Sequence, residues 1–356
     1  MTDLTRYATW REIQAQPTIW ADWGNRLDVA GLRGWIDGLA VDEVWFCGAG
    51  SSAYIGEMVV AALEGGPRLR AVATTDLVAR PWAYLTGRKP LIVSFGRSGN
   101  SAETLGVLDA LDALAPDAPR LNITCNAVSA LATRVATDQR VVVLPDATHD
   151  AGFAMTSSFS TMLLTALALF DRSVEVRTIP AVFETLSAAL TRLLPQFTIL
   201  AQIAQIPERV VFVGSGPLTF AAREAALKVM ELAAGQIPAL WDSTLGFRHG
   251  PKSFVRGVTN IWVFGSDDPH TARYDADLVA ELRLQYPGSV TTLVGPGGDV
   301  DLLTGGWGII LPVVLAQILA VVWSDALGLP VDDPFAGQGT LSRVVSGVKL
   351  YPVVPK

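Results

Sequence analysis

The sequence predicts an α/β protein made of two duplicated domains, each a doubly wound parallel five-stranded sheet flanked by helices. Short runs of apolar, β-branched residues alternate with helical stretches of about a dozen residues, the pattern of parallel strands buried on both faces. That pattern restarts in the second half, element by element and in register. Half of the 356 residues are hydrophobic and 17% are charged. This is ample for a large core and excludes global disorder. At roughly 100–200 residues per domain the length fits two. The N-terminal helices and first domain are placed in 1–195, and the second domain with a C-terminal tail in 196–356.

Residues 5–37 read as helices. Trp10, Ile13, Trp20 and Trp23 fall near helical spacing, with a break expected at Pro17. VDEVWFCGAG is a strand ending in glycines, and SSAYIGEMVVAALEGG is its helix. LRAVATT is a strand, PLIVSFGRSGN a strand and turn, and SAETLGVLDALDAL the next helix. RLNITCN and RVVVLP are strands, followed by a polar loop and the helix SSFSTMLLTALALF. FETLSAALTRLLPQFTILAQIA is a helical connection. Then RVVFVGSGPLTFAAREAALKVMELAAG repeats the first strand, loop and helix. NIWVFGSDDPHTARYDADLVAEL repeats the third strand and its helix, and VTTLVGP repeats RLNITCN. WGIILPVVLAQILAVVWSDALG is expected to repeat RVVVLP and its helix, as a buried strand running into a buried helix. The tail VDDPFAGQGTLSRVVSGVKLYPVVPK has no counterpart in the first half, and is expected to complete a site.

Mean hydropathy is +0.36, which raises the question of a membrane. The most apolar stretch, Ile309 to Trp323, is roughly 15 residues, contains Pro312 and Gln317, and falls short of the ~20 that span a bilayer. The N-terminus lacks an apolar signal core. The two cysteines, Cys47 and Cys125, lie in strand-like runs, so the cytoplasm is expected rather than a disulfide framework. The net charge of −7 comes with no basic block, which argues against a nucleic-acid partner. Three histidines and two cysteines form no metal-ligand spacing, and no metal or organic cofactor is expected.

An anion must therefore be held by local features. Gly48-Ala49-Gly50-Ser51-Ser52 closes a strand and opens a helix, where backbone N–H groups and the helix dipole favour an anion. It serves equally as a plain tight turn, and lacks the third glycine of a dinucleotide fingerprint. Gly96-Arg97-Ser98-Gly99-Asn100-Ser101 stands at the matching place. Ser101 alone reads as an N-cap, but Arg97, Ser98 and Ser101 at one helix start, beside the first loop, suit a phosphate monoester. No Walker lysine occurs. In His149-Asp150-Ala151-Gly152-Phe153-Ala154-Met155-Thr156-Ser157-Ser158, spacing does not choose between a capped helix and a site wall offering Thr156 and Ser157.

Glu224, Lys228 and Glu231 share one helix face. A solvated ladder is the bland reading, but the surroundings are apolar, which invites burial and shifted pKa values. Asp242 to Ser253 packs Arg248, His249 and Lys252 into one Gly-Pro-punctuated loop, dense in chemistry.

These segments together, GAGSSAYIGE, SFGRSGNSAET, THDAGFAMTSSFS, GSGPLTFAAREAALKVMEL, STLGFRHGPKSF and GTLSRVVSGVKLYP, resemble the AgaS-type sugar isomerases of the sugar isomerase (SIS) domain superfamily over nearly the whole chain. More distantly the chain is similar to the isomerase half of glucosamine-6-phosphate synthase. The resemblance implies two SIS domains, a homodimer with shared active sites, and a hexose or hexosamine 6-phosphate whose phosphate is held at Ser51, Ser52, Ser98 and Ser101. It implies Glu231 as the enolisation base, Lys228 and Glu224 as its neighbours, and His249, given by the other subunit, as the ring-opening residue. Arg343 falls where the synthase has a lysine, and cannot form a Schiff base. Arg97 stands where the synthase has an amide, and Ala151 where the AgaS type has a basic residue.

The chemistry then expected is proton transfer between C1 and C2 through an enediol or enolamine. With a 2-amino sugar the product imine is hydrolysed, so galactosamine 6-phosphate gives tagatose 6-phosphate and ammonia. The alternatives are a relative acting on glucosamine 6-phosphate or fructosamine 6-phosphates, a non-catalytic sugar-phosphate regulator, and a dinucleotide oxidoreductase, the last disfavoured by the missing fingerprint.

Overall fold

The computed structural model describes residues 3–64, 68–339 and 341–354. Gly65 and Gly66, which close the first glycine-loop helix in the sequence reading, and Thr340 of the tail motif lie outside them. The chain forms two compact units. One takes the described residues within 18–150, 157–185 and 339–354, the other those within 3–17, 151–156 and 186–338.

Helix α1 (Ala8–Arg26) opens the chain and α2 (Val29–Asp37) follows. The expected break at Pro17 does not occur. α1 runs through the proline, and Gln16 Nε2 donates to the Ile13 carbonyl at 3.2 Å. That carbonyl is the one the missing proline N–H would have served, so a neighbouring side chain replaces the lost bond.

The first sheet contains β1 (Glu43–Gly48), β2 (Leu69–Ala73), β3 (Pro90–Gly96), β4 (Arg120–Thr124) and β5 (Gln139–Val143). It is parallel throughout, in the order β2-β1-β3-β4-β5. Its helices are α3 (Ser51–Ala62), α4 (Thr74–Ala79), α5 (Pro81–Leu85), α6 (Ala102–Leu114), α7 (Ala130–Thr133) and α8 (Ser157–Phe170). Both faces are covered, as the period-2 alternation of β1 requires. Trp45 and Cys47 pack with Leu77 of α4, Leu85 of α5 and Val107 and Leu111 of α6. Phe46 meets Phe170 of α8 edge-on, with ring centroids 4.9 Å apart.

Helix α9 (Ile179–Ile203) leads to the second sheet, made of β6 (Arg209–Gly214), β7 (Ala239–Ser243), β8 (Thr259–Phe264) and β9 (Val290–Val294). Helix α10 (Pro217–Leu232) follows β6, α11 (Thr271–Gln285) follows β8, and α12 (Leu311–Ala326) closes the fold. The order β7-β6-β8-β9 repeats the first sheet without its fifth strand. The fifth strand expected at WGIIL is instead a 3-10 turn, Gly306–Ile310, continuing into α12. Pro312 in the first turn of α12 favours the helix, and a wholly apolar run does not separate a buried strand from a buried helix. Gly306–Ala326 is long and apolar enough to cross a membrane, but 89% of its apolar window is buried within the fold, and α12 packs along α10.

The duplication reaches the backbone. Gly50 after β1 and Gly216 after β6 both have φ +56°, with ψ −132° and −128°. Glycine enters this left-handed region without a Cβ penalty, so the same turn leads from β1 into α3 and from β6 into α10.

Candidate functional site

In a sheet of order 2-1-3-4 the chain winds to opposite sides after the first and third strands, which opens a crevice at their carboxyl ends. In the first sheet that crevice lies between the loops after β1 and β3, where Ser51, Ser52, Arg97, Ser98 and Ser101 all occur. Ser51 and Ser52 begin α3 and are buried. The β3 loop is braced from behind. Asn126 Nδ2 donates to the Ser98 carbonyl at 3.1 Å, Ala130 N–H to Asn100 Oδ1 at 2.8 Å, and Leu131 N–H to the Gly99 carbonyl at 3.1 Å. Gly99 has φ +63°, and a Cβ there would meet Ser129 Oγ at 2.3 Å. Ser101 caps α6, its Oγ accepting from Thr104 N–H at 3.3 Å. The result is a fixed loop of hydroxyls and N–H groups at two helix starts, the physical requirement for binding a phosphate.

Arg97 is buried, and its Nη2 donates to the Arg343 carbonyl at 3.1 Å, while Ala102 N–H donates to the Val345 carbonyl at 3.1 Å. The tail thus touches the first residue of α6 and the arginine of the loop. His149 belongs to the same cationic neighbourhood. Burial, then the positive charges of Arg343 and Arg97, hold its imidazole below the ordinary histidine value. Ser157, at the start of α8, donates its hydroxyl to Asp150 Oδ1 at 2.5 Å, and Ser158 does the same to Oδ2. Both serines also give Asp150 their backbone N–H groups, so this carboxylate caps the first two N–H groups of α8. Thr156 is fully buried.

In the other unit, α10 carries the acidic and basic candidates. Glu224 and Lys228 have no exposed side-chain surface, and Glu231 keeps 23%. Lys228 Nζ lies 2.6 Å from Glu231 Oε2 and 3.3 Å from Glu224 Oε1. Burial alone would lower the lysine's pKa, but the two carboxylates outweigh it and hold the ammonium above its ordinary value. The trio is therefore no solvated ladder: one buried cation is held between a buried and a reachable carboxylate.

The loop after β7 contains two 3-10 turns, Gly246–Arg248 and Gly250–Phe254, with His249 between them. Arg248 Nε lies 3.2 Å from Glu281 Oε2 on α11, and Lys252 also pairs with Glu281. These cations brace the loop, and His249 between the two turns is exposed. His149 and the buried Asp275 of α11 escaped the sequence reading as site residues. A signal for Asp275 existed: it stands on the apolar stripe of Leu278, Val279 and Leu282, where a helix normally puts a hydrophobe.

Duplicated parallel sheets of this order, with hydroxyl-rich loops at one crevice and a Glu–Lys–Glu helix, define a sugar isomerase domain protein. No protein-family model matches the chain. It is 38% identical to the D-galactosamine-6-phosphate deaminase AgaS of a Shewanella species, over 99% of this chain and 94% of that protein. It is 37% identical to AgaS of Escherichia coli, over 97% and 96%. The crystal structure of tagatose-6-phosphate ketose/aldose isomerase from Escherichia coli superposes with a TM-score of 0.84 at 32% identity, over 99% of both chains. The chain belongs to the AgaS family of sugar isomerase domain enzymes.

Proposed function

We propose that the protein is a deaminating phosphosugar isomerase, with galactosamine 6-phosphate as substrate and tagatose 6-phosphate and ammonia as products. The observation that carries this reading is the α10 trio. Lys228 is sealed against Glu224, and of the two carboxylates beside it only Glu231 is open to a reacting molecule. Glu231 takes the C2 proton of the open-chain aldose and returns it to C1, the single-carboxylate relay of an enolamine pathway. Lys228 Nζ donates to Glu231 Oε2 and holds that carboxylate in place beside the substrate. His249 moves the ring-oxygen proton during opening. Protonation at C1 leaves an iminium at C2, and water attacks that carbon and expels ammonia. Ser51, Ser52, Arg97, Ser98 and Ser101 bind the 6-phosphate, and Arg343, Thr156 and Ser157 belong to the substrate-binding set.

The same reading includes a cytoplasmic homodimer in which His249 of the partner subunit serves Glu231. Two free, buried cysteines suit a reducing compartment, and burial pushes both thiols up to about 12. The test is a panel of galactosamine, glucosamine and fructosamine 6-phosphates, with ammonia and ketose measured together. Equimolar ammonia and tagatose 6-phosphate from the first substrate supports the reading. Turnover of glucosamine 6-phosphate alone moves the assignment to that epimer, and ligand binding without turnover of any substrate overturns it.

A further inference from the structure

Asp275, in the second turn of α11, is 1% exposed. Its Oδ1 accepts from Thr244 Oγ1 at 2.6 Å and Ser215 Oγ at 3.1 Å, and its Oδ2 from Ser266 N–H at 2.8 Å. Among the described residues it makes no ion pair. A buried carboxylate without a cation is costly, and persists only where its hydrogen bonds are satisfied and its position is used.

Its three donors occupy the carboxyl ends of three different strands. Ser215 follows β6 and precedes Gly216 and α10, the helix of Glu224, Lys228 and Glu231. Thr244 follows β7 and leads into the turn that ends at His249. Ser266 follows β8 and leads into α11. Beside Thr244, Gly246 N–H donates to the Ser243 side-chain Oγ at 3.1 Å, and His249 N–H donates to the Gly246 carbonyl at 3.1 Å.

The first unit is a natural control. Asp275 stands as far beyond Gly265 as Gly106 does beyond Gly96 at the end of β3, so the duplicate has no carboxylate at the matching position. Thr74, which follows β2 as Thr244 follows β7, has a buried hydroxyl with no hydrogen-bond partner. The fold therefore does not need this staple. It occurs only in the unit whose strand ends feed the proton-transfer residues. We infer that Asp275 is a positioning residue for the reaction: through Thr244 and Ser215 it holds the histidine-bearing turn and the start of α10 on one frame, so that the His249 a chain offers to its partner's site and the Glu231 of its own site both keep their places. The inference rests on the reading of Glu231 and His249 as the proton-transfer pair.

The test compares Asp275→Asn, Thr244→Val, Thr244→Ser and Ser215→Ala in the full chain, with Glu231→Gln in parallel. Misplaced reacting groups lose rate more than affinity, so Thr244→Val and Asp275→Asn should lower kcat about ten- to hundred-fold, with KM within about three-fold. Thr244→Ser, which keeps the hydroxyl, should return kcat to within about two-fold of wild type. Amide hydrogen exchange across 244–250 should quicken in both damaging variants while β6 and β8 stay protected. Wild-type kcat in folded Thr244→Val overturns the inference, as does a loss that Thr244→Ser fails to rescue. If Asp275→Asn does not fold, Thr244→Val and Ser215→Ala decide. Full activity in Glu231→Gln defeats the functional reading instead, and the exchange of 244–250 then decides the staple alone, with unchanged exchange overturning it.

Discussion

Lys228 Nζ lies 2.6 Å from Glu231 Oε2, and the lysine is wholly buried where the glutamate is not. The pair sets a wholly buried ammonium against a carboxylate that stands at the edge of the apolar interior. The third member, Glu224, is buried and 3.3 Å from the same ammonium.

Removing that cation should therefore be felt by the fold before the chemistry. Lys228→Met removes one partner of the wholly buried Lys228–Glu224 pair, which costs roughly 3–5 kcal/mol for a buried pair broken on one side. Adding Glu224→Gln to Lys228→Met should recover much of the loss. Urea unfolding measures both. A Lys228→Met protein as stable as wild type would show that the trio is better solvated than its burial indicates.

Glu231→Gln keeps the size and most of the hydrogen bonding but cannot accept a proton. We expect kcat to fall by at least about a hundred-fold with little change in KM, and solvent deuterium to stop entering the ketose product at C1. Deuterium entering at the wild-type rate would move the base to another group.

The fold and the candidate chemistry were legible to different depths. Strand and helix positions followed from apolar runs and their periods, and the α10 trio from three charges on one face of an apolar helix. What was not legible depended on neighbours distant in sequence or on an ambiguous period. Gln16 continues α1 past Pro17 by taking over one hydrogen bond, which no proline rule foresees. WGIIL is too uniformly apolar to show its period, and became a turn and helix rather than a fifth strand. Arg248 and Lys252 read as chemistry in the sequence and are found paired to Glu281 on α11, a partner that only the tertiary fold supplies.

His149 gives a direct test of the proposed anion site. Burial, Arg343 and Arg97 all disfavour its protonated form, so in the free protein it should titrate below the ordinary 6.5. An anion seated beside those arginines opposes their repulsion, and inorganic phosphate should move the midpoint up. The stability effect has a fixed sign. The depressed value weakens the folded state only as pH falls below 6.5, where the unfolded chain takes up the proton first. Ser98→Ala with Ser101→Ala should raise KM by about ten-fold or more and abolish the phosphate-induced shift. A shift that survives in the double variant would place the anion elsewhere.

The shared-site expectation yields a test that needs no structure of the dimer. If His249 of one subunit serves Glu231 of the other, Glu231→Gln and His249→Asn homodimers are each inactive, but a mixed dimer carries both defects in one site and neither in the other. Random pairing makes about half of the dimers mixed, so exchanged subunits should recover roughly a quarter of wild-type activity. If both residues serve from one chain, every site keeps one defect and mixing restores nothing. Subunit exchange must be shown independently, by native mass spectrometry of differently labelled chains, because unexchanged homodimers also stay inactive. A mixed population with no activity would place Glu231 and His249 in the same subunit's site and leave the isomerase chemistry of α10 standing.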